Sequence, residues 1–291
     1  MSAATTAKKP TGKDANGNTL TKAYEADMKR ETLEFGGPIG CLLIVIFSHI
    51  IPYYLWYCLE FNNAQLTLKP DISLIIERAW PTWFAAKVYL GFILFQYLLA
   101  AWIPGFKHHG LPLPHEGGQK LEYNCNAIQA WYVTLIVVPV LHVTGILRLT
   151  VLMDHFAPIF TVAMLFSNFV ALWVYVVTIA KGRQHRMSGN FIYDYFMGAA
   201  LNPRIGTVDM KMFTEARLSW IVLFLLTCSA ACKMYEQQGH VSGSMIFMIT
   251  AHFLYANAIM KGEECVVTSW DIFYEKWGWL LIYWNLAGVP F

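Results

Sequence analysis

The chain has 291 residues, 56% of them hydrophobic and only 14% charged, with a mean hydropathy of +0.42. A soluble domain carries about 25% charged residues, so the long uncharged runs read as a polytopic membrane protein rather than a soluble one. A net charge of +2, with no basic helix and no zinc-finger spacing, gives no basis for a nucleic-acid partner.

Residues 1–37 read as a flexible cytosolic tail, polar and too poor in apolar side chains to fold alone. Positions 1–35 lack an apolar core, so this is no secretory signal and the first apolar run is an uncleaved span. Complete spans are expected at 38–59, 83–102, 127–147, 156–180, 218–232 and 241–260. A seventh apolar stretch begins at 277–291, but its 15 residues fall short of the roughly 20 needed to cross a bilayer. His49 and Pro52 interrupt the first span, a break that neighbouring helices compensate. Lys87 lies near one end of the second, where it can snorkel to the interface.

The stretch 104–126, rich in proline and glycine, reads as an interfacial loop. Its His108, His109, His115 and Glu116 match no familiar ligand spacing, so no metal site is expected. Arg148, Asp154 and His155 occupy the short connection between the third and fourth spans, which should pack antiparallel. Residues 181–217 form a long polar loop and 261–276 a charged connection. The six cysteines include no C-x-x-C pair; Cys228 and Cys232 share a helix face, and the set reads as buried thiols without disulfides. With the tail cytosolic, 16 lysines and arginines fall on the cytosolic side against 4 on the other, which satisfies the positive-inside rule. The aromatic content of 15% suits interfacial belts and, equally, a flat rigid ligand between helices.

The densest polar and turn-forming cluster is 189–204, GNFIYDYFMGAALNPR. Tyr193 and Asp194 are adjacent, Asn202-Pro203 marks a turn, and Arg204 places a fixed charge directly after it. From spacing alone, a solvated connection capping two membrane helices explains it as well as a functional site does. The order Gly-x-x-Ile-Tyr-Asp-x-Phe-x-Gly-x-x-Leu-Asn-Pro-Arg resembles the signature of the membrane sterol reductases, which include the C-14, Δ7 and C-24(28) reductases and the lamin B receptor. The resemblance runs from about Gly36 to the end. Within it, 121–131 (LEYNCNAIQAW) and 268–291 (TSWDIFYEKWGWLLIYWNLAGVPF) are most similar to the fungal Δ24(24(1))-, or C-24(28)-, branch.

The resemblance implies an all-α polytopic fold of about ten membrane helices, of which this chain offers six and part of a seventh. Residues 38–291 would be the front of the reductase domain. It further implies NADPH-dependent reduction of a sterol side-chain double bond, the last step of ergosterol synthesis, in the endoplasmic reticulum membrane. The partners implied are the sterol, the bilayer and other ergosterol-pathway membrane enzymes. The family's NADPH site uses Arg-Asp, Cys and Lys-Tyr-Gly motifs in its C-terminal helices, so cofactor-binding residues are expected beyond Phe291. The chain reads as C-terminally truncated and, alone, is expected neither to bind NADPH nor to reduce a sterol.

Reducing a carbon–carbon double bond needs a proton and a hydride, and only a cofactor supplies the hydride. Proton-donor candidates are Tyr193, Asp194, Glu264 and Asp271, with Glu263 more readily explained as an ion pair to nearby Lys261. Arg204 could pair with Asp194 or with one of the carboxylates at 263, 264 and 271. Asn202 and Arg204 would shape the loop, and Tyr123 could line the same pocket. Asn126 reads as a helix cap, and His142 and His252 as histidines bonded to neighbouring helices. A catalytically silent sterol-binding or scaffold member and a C-14 or Δ7 reductase are the alternatives within the family. A small transporter using Lys87, His142 and Asp154 is a third reading, unsupported by any internal repeat.

Overall fold

A computed structural model describes residues 33–113 and 118–291; most of the tail, and His115 and Glu116, lie outside the described residues. The helices, in chain order, are α1 (Gly37–Phe61), α2 (Ile72–Ala79), α3 (Trp83–Trp102), α4 (Ala127–Val143), α5 (Val151–Asp154) and α6 (Phe156–Ala180). They continue with α7 (Phe191–Met197), α8 (Met210–Gln238), α9 (Gly243–Lys261), α10 (Glu263–Val266), α11 (Trp270–Phe273) and α12 (Trp279–Tyr283). Two small antiparallel pairs accompany them: β1 (Phe106–Leu113) with β2 (Gln119–Cys125), and β3 (Arg204–Ile205) with β4 (Val208–Asp209).

Among the described residues, α1, α3, α6, α8 and α9 are long and apolar enough to cross a membrane. The all-α polytopic class therefore holds. The third expected span is shorter than its sequence suggests: α4 has 17 residues, about 26 Å at 1.5 Å per residue. Its last expected residues instead turn away, with the Thr144 hydroxyl bonded back to the Val140 carbonyl. The fifth runs longer, because α8 begins at Met210 and passes through a π turn at Thr214–Leu218. α4 packs chiefly on α9 and α3 rather than on its sequence neighbour α6, since the turn and α5 carry the chain sideways before α6 begins.

Helix ends follow from local chemistry. Thr82 caps α3 by accepting from the Ala85 amide at 3.1 Å, Ser242 caps α9 through Met245, and Asp71 caps α2 through Leu74. Proline at the start of α1 has no amide to leave unsatisfied there. Outward faces are apolar: Ile39, Phe47 and Ile50 of α1 stand exposed, which suits a helix solvated by lipid. α6 sits centrally, against α3 and α12, with Ile159, Phe160, Ala163, Tyr89, Phe196 and Trp279 in one buried cluster.

Within 104–126, β1 and β2 pair antiparallel where an irregular loop was expected. Phe106 pairs with Cys125 and His108 with Tyr123, and the irregularity between His109 and Pro112 absorbs a residue that cannot donate to the ladder.

Pro52 removes the amide that would bond to the Ser48 carbonyl, and the Tyr283 hydroxyl from the C-terminal stretch donates to that carbonyl instead. Nearby, His49 Nδ1 donates to the Val45 carbonyl at 2.7 Å, so Nε2 is the acceptor for Asn168 Nδ2 at 2.8 Å. Asn168 Oδ1 in turn accepts from Trp279 Nε1 at 2.9 Å. The interruption of α1 is thus the seam joining α1, α6 and α12. Tyr283→Phe leaves Ser48 without its donor, and a loss of about 1–3 kcal/mol is expected, read as a lower unfolding midpoint in detergent. An unchanged midpoint would show that lipid or water serves Ser48 equally well.

Candidate active site

The 189–204 stretch folds as a capped short helix held between two other segments. Asn190 Oδ1 accepts from the amides of Ile192 and Tyr193, which starts α7. Asp194 reaches back from that first turn. Its two carboxylate oxygens accept from the amides of Ser188 at 2.7 Å and Gly189 at 2.9 Å. Tyr193 is buried and its hydroxyl accepts from the Glu34 amide at 3.0 Å. The stretch is clamped on both sides by backbone bonds, His185 N to Ala199 O and Trp277 N to Ala200 O. At Gly198, with φ +95°, a Cβ would lie 2.4 Å from the Gly278 nitrogen, so only two glycines allow this contact.

Arg204 does not pair with Asp194, Glu263, Glu264 or Asp271. Its guanidinium lies 3.7 Å from Asp209, donates to the Glu122 carbonyl at 2.9 Å and stacks over the Tyr123 ring. The physical reason is the β3–β4 turn, which places Arg204 directly across from Asp209. Asn202 Nδ2 reaches both Tyr123 Oη and the Ile272 carbonyl, which brings Tyr123, Asn202 and Arg204 together.

Behind them is a buried charged cluster. Asp209 caps α8 through the Met212 amide; burial raises its carboxyl pKa, against the pull of that bond, Lys211 and Arg204. Lys211, fully buried, donates to the Glu275 carbonyl and lies within electrostatic reach of Glu215 and Asp271. Glu215 Oε2 and Glu264 Oε2 are buried without a hydrogen-bond partner among the described residues.

Glu263 is an ion-pair residue, with Arg217 rather than Lys261 as its partner. Arg217 donates to Oε1 at 2.7 and 3.2 Å, while Oε2 accepts from the Ala127 amide at 2.7 Å. Glu263 therefore caps α4, the role expected of Asn126. Asn126 Nδ2 instead serves the carbonyls of Ala100 and Ile103 at the end of α3. Cys125 stands nearby, its thiol pushed up to about 12 by burial and by Glu263 and Glu264, so it remains neutral.

His252 bonds Thr227 on the neighbouring α8, as expected, whereas His142 accepts from the Leu149 amide just beyond its own helix. Asp154 is ion-paired with Lys233, which holds its carboxyl below the usual range.

The large cavity lies elsewhere. About 1180 Å³ opens between α1, the start of α6 and the C-terminal stretch, walled by Phe47, Ile51, Trp56, Phe160, Trp284 and Phe291. Its few polar groups are Ser48, Tyr283, Glu60, Arg78, Asp154 and His155. None of Tyr193, Asp194, Glu264, Asp271, Tyr123, Asn202 and Arg204 lines it. Ser48 and Tyr283, which line this cavity, are the residues that residue order left unmarked; Pro52 is the signal for them, since a broken helix needs an outside partner.

Residues 29–291 match the Ergosterol biosynthesis ERG4/ERG24 family. The chain belongs to that family. It is 42% identical over 283 residues to the Delta(24(24(1)))-sterol reductase erg4A of Aspergillus fumigatus, covering 93% of this chain and 60% of the relative. Against the Delta(14)-sterol reductase of Dictyostelium discoideum it is 37% identical over 294 residues, 95% of this chain and 63% of the relative. The Delta(14)-sterol reductase LBR of Gallus gallus is 31% identical over 273 residues, 90% of this chain and 41% of the relative. The chain thus spans less than two thirds of the length of these ERG4/ERG24 relatives.

Proposed function

We propose that this chain is part of an NADPH-dependent reductase acting on the C-24(28) double bond of a sterol side chain, at the last step of ergosterol synthesis. The carrying observation is the 42% identity to a Delta(24(24(1)))-sterol reductase across 93% of the chain. An apolar, aromatic-walled cavity of about 1180 Å³ offers room for a rigid apolar ligand, but it lies away from the charged cluster, so the reading rests on the identity and not on this cavity. Reduction of the sterol C-14 bond is the second reading, favoured by 37% identity to a Delta(14)-sterol reductase.

NADPH would supply the hydride. Among the described residues, however, Arg204, Lys211 and Arg217 already hold acceptors within the protein. They do not form a cradle for its phosphates, and no hydride step is assigned to residues of this chain. For the proton, Glu264 is the best placed of the candidates, because its Oε2 is buried and unbonded. Asp271 is second, while Tyr193 and Asp194 would act by holding the α7 turn. Tyr123, Asn202 and Arg204 would shape the surface beside them. We place the protein in the endoplasmic reticulum membrane with its N-terminus and the charged cluster on the cytosolic side. The positive-charge bias supports this, as does the meeting of 104–126, 181–209 and 262–278 at one end of the bundle. Other ergosterol-pathway membrane enzymes are proposed partners.

The test is sterol analysis of yeast lacking its own C-24(28) reductase and carrying this sequence within a full-length family protein. Restored ergosterol is the expected result. Glu264→Gln should lower the conversion by about 10²–10⁴-fold at unchanged protein level. Accumulation of the C-24(28) unsaturated sterol despite stable protein would overturn the substrate assignment, and a fully active Glu264→Gln would overturn the donor.

A further inference from the structure

The connection between α1 and α3 stands at the end of α1 away from the Tyr193 contact, and its backbone is pinned at several points. Asn63 and Ala64 take the left-handed conformation, with φ of 51° and 59°, which turns the chain back on itself. The Ala64 amide donates to the Cys58 carbonyl at 2.9 Å. Tyr54 Oη donates to the Thr67 carbonyl at 2.9 Å and accepts from the Thr67 amide at 3.2 Å. Farther on, the Ala79 carbonyl of α2 accepts from Thr161 Oγ1 of α6 at 2.7 Å.

On this fixed backbone Leu66, Leu68, Ile72, Ile76, Trp80 and Trp83 are each more than half exposed, Leu68 completely. So many large apolar side chains on one short connection exceed the scattered exposure of an ordinary wet surface. Ile72 and Ile76 share one face of α2, and Ser73 and Glu77 the next. Ala79 is buried where α2 packs on α6. Two neighbours show what covers the apolar face. The Tyr54–Thr67 bonds hold the connection against the last turns of α1, whose Leu55 and Leu59 are exposed on a spanning helix. At its other end it runs directly into the exposed Trp83 and Phe84 of α3. The lipid contact of both helices thus continues across it, with tryptophans where a bilayer interface favours them. Lys69 and Arg78 balance Asp71 and Glu77, so no charge of headgroup is selected.

We propose that residues 66–83 are an interfacial membrane-binding surface. α2 lies in the plane of the bilayer surface, with its apolar side chains at the boundary between headgroups and acyl chains and Ser73 and Glu77 toward water. Arg78 also belongs to the wall of the large cavity, so this depth sets that part of the wall among the headgroups. The placement holds whatever the chain reduces.

The experiment uses the intact chain in phosphatidylcholine nanodiscs, one chain per disc, with Cys265→Ser removing the exposed native thiol. Nitroxide labels go singly on Leu68→Cys, Ile72→Cys, Ser73→Cys, Ile76→Cys and Glu77→Cys. Power saturation compares accessibility to oxygen, which partitions into lipid, with accessibility to a water-soluble nickel chelate. The oxygen-to-nickel ratio is expected to be several-fold higher at 68, 72 and 76 than at 73 and 77, and unchanged when phosphatidylglycerol replaces phosphatidylcholine. Ile72→Asp/Ile76→Asp should lower the ratio at 68 to that at 73. Free access of nickel at 72 and 76 would overturn the proposal by placing the face in water. Shielding of those positions from both probes would overturn it by showing a protein cover, and so would a pattern seen with phosphatidylglycerol alone. If Ile72→Asp/Ile76→Asp fails to fold, the five single labels decide the matter.

Discussion

Gly198→Ala is expected to destabilise the protein by about 2–6 kcal/mol, or to prevent its recovery from the membrane altogether. Two independent effects act at one atom. The backbone at Gly198, φ 95° and ψ 165°, lies in a region open to glycine and essentially closed to other residues. The added Cβ would also sit 2.4 Å from the Gly278 nitrogen and 2.6 Å from the Trp277 carbonyl carbon, backbone atoms that no rotamer change can move. The reciprocal site is as tight, since a Cβ at Gly278 would meet the Gly198 nitrogen at 2.1 Å. Thermal unfolding in detergent measures the effect, with Gly239→Ala as a control that shares the positive φ but has no atom within 4 Å of a new Cβ. If Gly198→Ala proved no worse than that control, the close approach of the two segments would be wrong.

Arg217→Met should be nearly as damaging, at about 3–5 kcal/mol. The lost attraction is the smaller part of this. The larger part is a Glu263 carboxylate left with 2% exposure, where ionisation without a counter-charge is unfavourable. Glu263 also caps α4 through Ala127, so the damage should spread from α8 to α4. Adding Glu263→Gln to Arg217→Met removes the stranded charge while keeping an acceptor for Ala127. The double variant should therefore regain much of the loss, a non-additivity that a double-mutant cycle reads directly. A single variant within 1 kcal/mol of the parent would mean that water reaches Glu263.

What could be read from the sequence divides along a physical line. Trp83–Trp102 and Phe156–Ala180 are found at their expected limits, because each is an uninterrupted apolar run ending where polar groups begin. α8 starts at Met210, earlier than hydropathy suggests, because Lys211, Glu215 and Arg217 look like loop residues until their partners fold around them. Those partners, Glu275, Asp271 and Glu263, are 46 to 64 positions away, beyond any local pattern. Asn126 shows the same limit: it stands where a cap belongs, yet the carbonyls at the end of α3 compete for its amide and win. The β1–β2 pairing was hidden because proline and glycine mark a turn without saying that strands flank it. In the 189–204 stretch the motif located the structural hub correctly, while the pairing of Arg204 depended on a turn geometry invisible in residue order.

The bond from Tyr283 to Ser48 also sets an order of events in biosynthesis. The two residues are 235 positions apart, so at 5–20 residues per second the ribosome needs roughly 12–47 s to reach the second after making the first. Through that interval α1 already occupies the membrane with its Pro52 break unserved, and the nascent helix must borrow a donor from water, lipid headgroups or the insertion machinery. Completion of the first helix therefore waits on a hydroxyl made 235 residues later.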